Sequence, residues 1–425
     1  MRKLHYERLN ETLHRYKVLN TLEIHHVQKP DAAKTFVSIT VPLGSVHEGY
    51  KDENKEVHHV PRGIAHFLEH AMFEKNGTDL SKAFAREEAS INAYTDHHAT
   101  TYLFSATANI ETHTVRLIEM LLNPEFTEST VEKEKKIIKE ELNMHKDDPF
   151  YLQYRGLMNN LYATHPLKDD ILGSEASIDA MSLQDLKAMH EAYYDPSRMK
   201  VVVVGNIEPK TLHQHLEKAF EGFPSSMKTP LEIRLETVEQ VNTKYEKTHY
   251  DILTPSLMMG IKLSQDAYKT EDPIRKFLVY SIAVEGLLGS TSRLYERLLK
   301  ENLVNDAYDV DVIFEPSYAN ILLFAETDDP DTLRSELKKA LAERTEGGLD
   351  SEDFIRVKRR MYGQFIRSFD SSERLASEIV DHLQFNVVYH DLIQLFETIT
   401  EDEVAQALQT LKQSAISFFA ALPKA

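Results

Sequence analysis

Two rhythms of apolar and polar residues alternate along the chain. Thr35 to Leu43 (TFVSITVPL) switches between apolar and polar positions and is rich in β-branched residues, which predicts a strand. Pro61 to Phe73 (PRGIAHFLEHAMF) opens on proline and continues at helical spacing, which predicts a helix. Ser90 to Thr107 is strand-rich around a polar break. Glu111 to Leu122 and the heavily charged Glu128 to Lys146 predict helices, as does Ser182 to Tyr193; Lys200 to Val204, closed by Gly205, predicts a buried strand. Glu221 to Lys247 has prolines, many charges and little periodicity, and is the candidate linker. Helices are then expected at Pro273 to Leu288, Ser292 to Lys300, Thr332 to Arg344, Ser351 to Phe369 and Glu401 to Leu411. Strands are expected at Tyr308 to Phe314, Tyr318 to Glu326 and Ile416 to Leu422.

The second series repeats the first. FTESTVEKEKKIIKEELNMHKDD (Phe126 to Asp148) runs without a gap against LDSEDFIRVKRRMYGQFIRSFDS (Leu349 to Ser371), each a long charged helix behind an acidic, hydroxyl-rich start. The predicted fold class is therefore α+β: two related α/β units, each an antiparallel-rich sheet with helices packed on one face. The predicted boundaries are 1–222, a linker at 223–247, and 248–425. A length of 425 residues suits two or three domains, so two units suffice.

The net charge of −19 disfavours a nucleic-acid or anionic-membrane surface, since phosphate binding needs clustered positive charge. The chain has no cysteine, which excludes disulfides, thiolate metal ligands and a cysteine nucleophile. The first residues carry no apolar run of signal-peptide length, and no stretch is long enough to span a membrane, so the expected location is cytoplasmic. Histidine is the uneven residue: 16 of 20 lie at or before His213. Metal chemistry, if present, is expected in the first half.

The sharpest local pattern is His66-Phe67-Leu68-Glu69-His70. On a helix, positions four apart share a face, so two imidazoles can reach one ion, with Glu69 beside them to take a proton from water. The ordinary alternative is a solvated helix face, but Phe67, Leu68, Ala71, Met72 and Phe73 make this segment apolar, and polar groups there need partners. A catalytic zinc needs a third ligand. Glu128 to Lys146 offers Glu132, Glu134, Glu140 and Glu141; spacing puts Glu134 and Glu141 two turns apart on one face but does not choose between Glu140 and Glu141. In the repeat, Val357 stands opposite Glu134 and Gln364 opposite Glu141, so the second unit lacks these groups. His58-His59 and His97-His98 are weaker candidates, because adjacent side chains of an extended strand diverge.

These residues resemble the inverzincin metallopeptidases, the family of pitrilysin, insulysin and the mitochondrial processing peptidase. The resemblance lies in PRGIAHFLEHAMFEKNGT, the INAYT strand, EKEKKIIKEELNMHKDDP, HPLKDDILGSEASI and YYDPSRMKVVVVGNI, in the family's order. The short length is similar to that of the bacterial YmfH-type zinc proteases. The resemblance implies zinc bound by His66, His70 and Glu141, with Glu69 as general base and Glu134 as a supporting catalytic carboxylate. It implies that Asn92 and Ala93 belong to an edge strand that pairs with extended substrate, and that Tyr308 contacts substrate. Family members often add an arginine from the second half; Leu299 stands there instead. That departure implies a dimer, in one form a heterodimer whose related partner supplies the arginine. The implied activity is zinc-dependent endopeptidase action on peptides or unfolded segments. The alternatives are a non-catalytic peptide-binding or assembly subunit, and a dedicated maturation protease for a ribosomal peptide.

Overall fold

The computed structural model describes the chain except residues 76–77, 224, 237–239, 344–347 and 425. Gly77 of the resemblance, Arg344 of a predicted helix and part of the predicted linker lie outside the described residues. Twelve strands form the two main sheets: β1 (Arg2–Tyr6), β2 (Glu11–Val18), β3 (Leu22–Gln28), β4 (Thr35–Val41), β5 (Ser90–Thr95), β6 (Thr100–Ala106), β7 (Lys200–Gly205), β8 (Tyr245–Tyr250), β9 (Ser256–Lys262), β10 (Tyr308–Glu315), β11 (Tyr318–Glu326) and β12 (Ala415–Pro423). The helices used below are α1 (Ile64–Met72), α2 (Ile110–Leu122), α3 (Glu128–His145), α4 (Pro149–Leu161), α5 (Leu183–Tyr193), α6 (Pro273–Leu287), α7 (Ser351–Ser368), α8 (Ser372–Leu383) and α9 (Glu401–Gln413).

The chain forms two compact units that interleave in sequence. The first comprises Met1–Leu142, Asp169–Ile233 and Ile366–His390; the second comprises Asn143–Lys168, Arg234–Phe365 and Asp391–Ala425. The first unit holds a sheet of order β1-β2-β3-β7-β4-β6-β5. Alternation sends Val37, Ile39, Val41, Tyr102, Phe104, Val201 and Val203 to one face, where they pack with Ile64, Phe67 and Leu68 of α1 and with α2 and α5. The reverse face carries buried Val202, Val204 and Ser38. Helix α8 packs on their strands, β7 and β4, through Leu375, Ile379 and Leu383.

The second unit holds a sheet of order β8-β12-β9-β11-β10. Helices α6 and α9 pack together, and α4 lies on β12 and β9, placing Leu157, Met158 and Leu161 against Met258 and Phe419. In each unit a strand entering the sheet pairs in parallel with the unit's last strand, and three antiparallel pairings follow. The α+β class thus has the repeat in its strand directions as well as in its sequence.

The sequence boundaries differ from these units at two segments. Residues 143–168 fall in the first predicted half and 366–390 in the last, yet each belongs to the other compact unit. The pairing that sets Glu141 opposite Gln364 sets Leu142 opposite Phe365, so the long helices α3 and α7 leave their units at corresponding residues. The predicted linker is not a free tether. Thr229–Pro230 pairs with Gly49–Lys51, and Glu236 is buried. Its carboxylate accepts from the backbone N–H groups of Ala163, Thr164 and His165 and from Lys262 at 2.9 Å.

Local chemistry explains the differences in element position. Helix α1 begins at Ile64 rather than Pro61, because Gly63 takes a left-handed φ of 88° where a Cβ would strike the Leu172 carbonyl. Strand β3 (LEIHHVQ) was not predicted because His25 and His26 interrupt its pattern, although both are buried. Strand β9 is buried at all seven positions and so shows no alternation. Among the described residues no helix is long and apolar enough to cross a membrane.

Candidate metal centre

Helix α1 places its apolar side, Ile64, Ala65, Phe67, Leu68 and Ala71, into the core of the first unit. His66, Glu69 and His70 are left on the side facing α3. The two imidazoles stand with ring centroids 4.6 Å apart, as one helical turn requires. Glu141 closes the group: its Oε2 is 3.7 Å from His66 Nε2 and 3.5 Å from His70 Nε2. One ligand atom from each residue lies within 4.8 Å of the others. Tetrahedral zinc with bonds of roughly 2.0–2.2 Å needs donors about 3.4 Å apart, so two neutral imidazoles and a carboxylate fit zinc in both type and spacing. Glu140, the alternative at sequence level, is exposed, because one residue along a helix turns the side chain to another face.

The supporting groups come from the same helices. Glu134, one of the most buried carboxylates of the unit, accepts a hydrogen bond from His70 Nδ1 at 3.2 Å, which leaves Nε2 toward Glu141. Lys133 lies 3.5 Å from Glu134 and 2.6 Å from Glu74. Burial alone would lower the His70 pKa, but hydrogen bonds to Glu134 and Glu141 and the charges of Glu141 and Glu69 outweigh it and push it up to about 9. The pocket is therefore electrostatically suited to positive charge. Glu69 is raised above the ordinary carboxylate range by burial, against a hydrogen bond from Thr95 and the charge of His70. Thr95 Oγ1 donates to Glu69 Oε2 at 2.6 Å.

Among the described residues, β5 is the last strand of its sheet and pairs only with β6. Asn92 and Ala93 lie on it, and the Ala93 N–H is held by the Asn92 side chain at 2.9 Å rather than by a neighbouring strand. A groove of about 410 Å³ runs beside this strand, lined by Glu69, His70, Phe73, Asn92, Ala93 and Glu134 among others. Sequence reasoning missed Thr95, although it stood in the quoted INAYT segment; its hydroxyl gave no signal until the strand was placed against α1.

Tyr308, expected to contact substrate, is buried in the second unit with its hydroxyl donating to the Leu288 carbonyl at 2.6 Å, and burial raises its pKa. His98 is buried, and His97 bonds Ser45. His58 meets Asp52 at 3.1 Å, and with Glu56 they form a second group of metal-ligand type, but Asp52 Oδ1 already accepts from the backbone of Asn54 and Glu56 and so builds the hairpin turn.

Residues 24–175 match the family described as insulinase, peptidase family M16, and residues 180–361 match the peptidase M16 inactive domain. The chain is similar to the uncharacterized zinc protease YmfH of Bacillus subtilis (strain 168), with 30% identity over 413 residues, 96% of each chain. It is also similar to the uncharacterized zinc protease YmxG of the same organism, with 24% identity over 84% of this chain and 85% of that one. Among solved structures, an M16-like peptidase from Alicyclobacillus acidocaldarius superposes with a TM-score of 0.92 at 27% identity, covering 97% of this chain and 99% of the other. The two-unit fold, the His-His-Glu group and these likenesses lead to one conclusion: the chain belongs to the M16 family of insulinase-type peptidases.

Proposed function

We propose that the chain is a zinc-dependent endopeptidase acting on peptides or unfolded segments. The convergence of His66 Nε2, His70 Nε2 and Glu141 Oε2, with Glu69 on the same helix face, carries this reading. His66, His70 and Glu141 would hold the metal, which when bound lowers the pKa of water to about 7 and polarises the scissile carbonyl. Glu134 fixes the His70 ring through Nδ1. Glu69, raised above the usual carboxylate range, is suited to accept the proton of the attacking water and pass it to the leaving amine. The open edge of β5 offers main-chain groups for an added substrate strand at Asn92 and Ala93.

The test is mass analysis of a peptide mixture incubated with the zinc-loaded chain, with and without chelator, alone and with cell extract. Cleavage by the wild type and none by Glu69→Gln, at unchanged zinc content, is expected. Hydrolysis by Glu69→Gln would overturn the mechanism.

A second reading is a peptide-binding or assembly subunit without catalysis. It is favoured by Leu299 at the position where the family often has arginine, and by the match of residues 180–361 to the inactive domain. A chain that binds no stoichiometric zinc would support this reading. Activity only with extract would instead indicate a required partner, as in a heterodimer.

A further inference from the structure

Strand β5 has two functions in the proposed reading, and one residue joins them. The Asp96 N–H bonds the Ala99 carbonyl, so by antiparallel alternation the Ala93–Tyr102 pair is a non-hydrogen-bonded one and the Ala93 N–H turns to the open edge. Strand periodicity gives Thr95, two residues on, the same backbone orientation and the same side-chain face. That face looks toward α1, and Thr95 Oγ1 donates to Glu69 Oε2 at 2.6 Å. Thr95 thus has its main chain on the edge where a substrate strand would add, and its hydroxyl on the carboxylate that would accept the water proton.

Glu69 has little else to fix it. Its side chain can rotate about three bonds, and its lone pairs must aim at the water rather than at His70. The Thr95 hydroxyl also lies 3.4 Å from Thr100 Oγ1, and Thr100 in turn donates to the Leu43 carbonyl at 2.7 Å. The Thr100 proton is thus committed to Leu43, and the single Thr95 proton is left to Glu69. A valine in place of Thr95 would keep the β-branched shape and strand preference and remove only the donor.

We propose that Thr95 is a positioning residue: its hydroxyl orients the Glu69 carboxylate and links that orientation to the strand that receives the peptide. This rests on the peptidase reading above. The test uses the full chain loaded with zinc and one quenched-fluorescence peptide chosen from those the wild type cleaves. Thr95→Val should lower kcat by about 10–100-fold, the scale for removing a partner that orients a reacting group, and leave KM within about twofold. Zinc content should not change. Binding of the same peptide with a reduced amide at the cleaved bond, read by fluorescence anisotropy, should also stay the same. Thr95→Ser, which restores the hydroxyl, should recover most of kcat. Should Thr95→Val fail to fold, the comparison of Thr95→Ala with Thr95→Ser carries the same test.

An unchanged kcat in Thr95→Val would overturn the inference and leave the peptidase reading in place. So would a Thr95→Ser as impaired as Thr95→Val, or a loss seen in KM and peptide binding alone. A zinc-loaded wild type that cleaves no peptide, alone or with extract, would overturn the peptidase reading and this inference with it.

Discussion

His26 should make the protein sensitive to mild acid. It is fully buried on β3; its Nε2 bonds the Ile207 carbonyl at 3.1 Å and its Nδ1 meets the Tyr16 hydroxyl at 3.1 Å. A carbonyl can only accept, so Nε2 carries the proton and Nδ1 accepts from Tyr16. A second proton would face the tyrosine donor. Burial, with a smaller contribution from His14, lowers the pKa from 6.5 to about 3. A lowered histidine pKa means the unfolded chain binds the proton more readily, so stability is lost as pH falls below about 6.5, and the loss is complete only near pH 3. With 1.36 kcal/mol per unit, the loss is negligible at pH 7.5 and about 2 kcal/mol at pH 5.0, approaching about 5 kcal/mol below pH 3. Asp381, pushed up to about 7 by the surrounding protein, Glu378 and Asp96, gains its proton in the same interval and works in the opposite direction. Comparison with a variant isolates the His26 contribution. Urea unfolding of wild type and His26→Gln at pH 7.5 and 5.0, followed by circular dichroism, should show a drop about 2 kcal/mol smaller in the variant. Equal drops, within about 0.5 kcal/mol, would refute the assignment of a neutral buried ring.

Other outcomes follow from the same geometry. Glu134→Gln leaves the three ligands but weakens the hold on His70 Nδ1, and zinc affinity measured by chelator competition should fall about 10–100-fold. Glu236→Ala removes the carboxylate that the buried Lys262 ammonium and three backbone N–H groups share, so thermal or urea unfolding should register a loss of about 3–5 kcal/mol.

The motif helix was readable in the sequence because its chemistry is local: His66 and His70 are one turn apart on any helix. Glu141 was not separable from Glu140 by spacing, since the choice depends on how α3 is rotated against α1. The histidine excess pointed to the half that holds the His-His-Glu group, but much of it has another cause. His25, His26, His98, His113 and His165 are buried as packing groups, and the rings of His25, His26 and His165 also form hydrogen bonds. For the same reason β3 escaped prediction, since a buried histidine reads as polar in a pattern. Tyr308 could be matched by order along the chain, but its hydrogen bond to the Leu288 carbonyl joins residues 20 apart and has no local signal.

The second half has no counterpart of the H-x-x-E-H motif in its sequence, but that does not make it expendable. Val202 and Val204 of the first unit are covered by α8, encoded more than 160 residues later, while Met258 and Phe419 rest on α4, encoded in the first half. A gene cut at the apparent linker would give two fragments, each missing a wall of its own core and each carrying an orphaned amphipathic helix. Selection for the stability of the His-His-Glu unit therefore reaches into residues 366–390, and a damaging substitution in Leu375 or Ile379 would loosen that group from far along the gene.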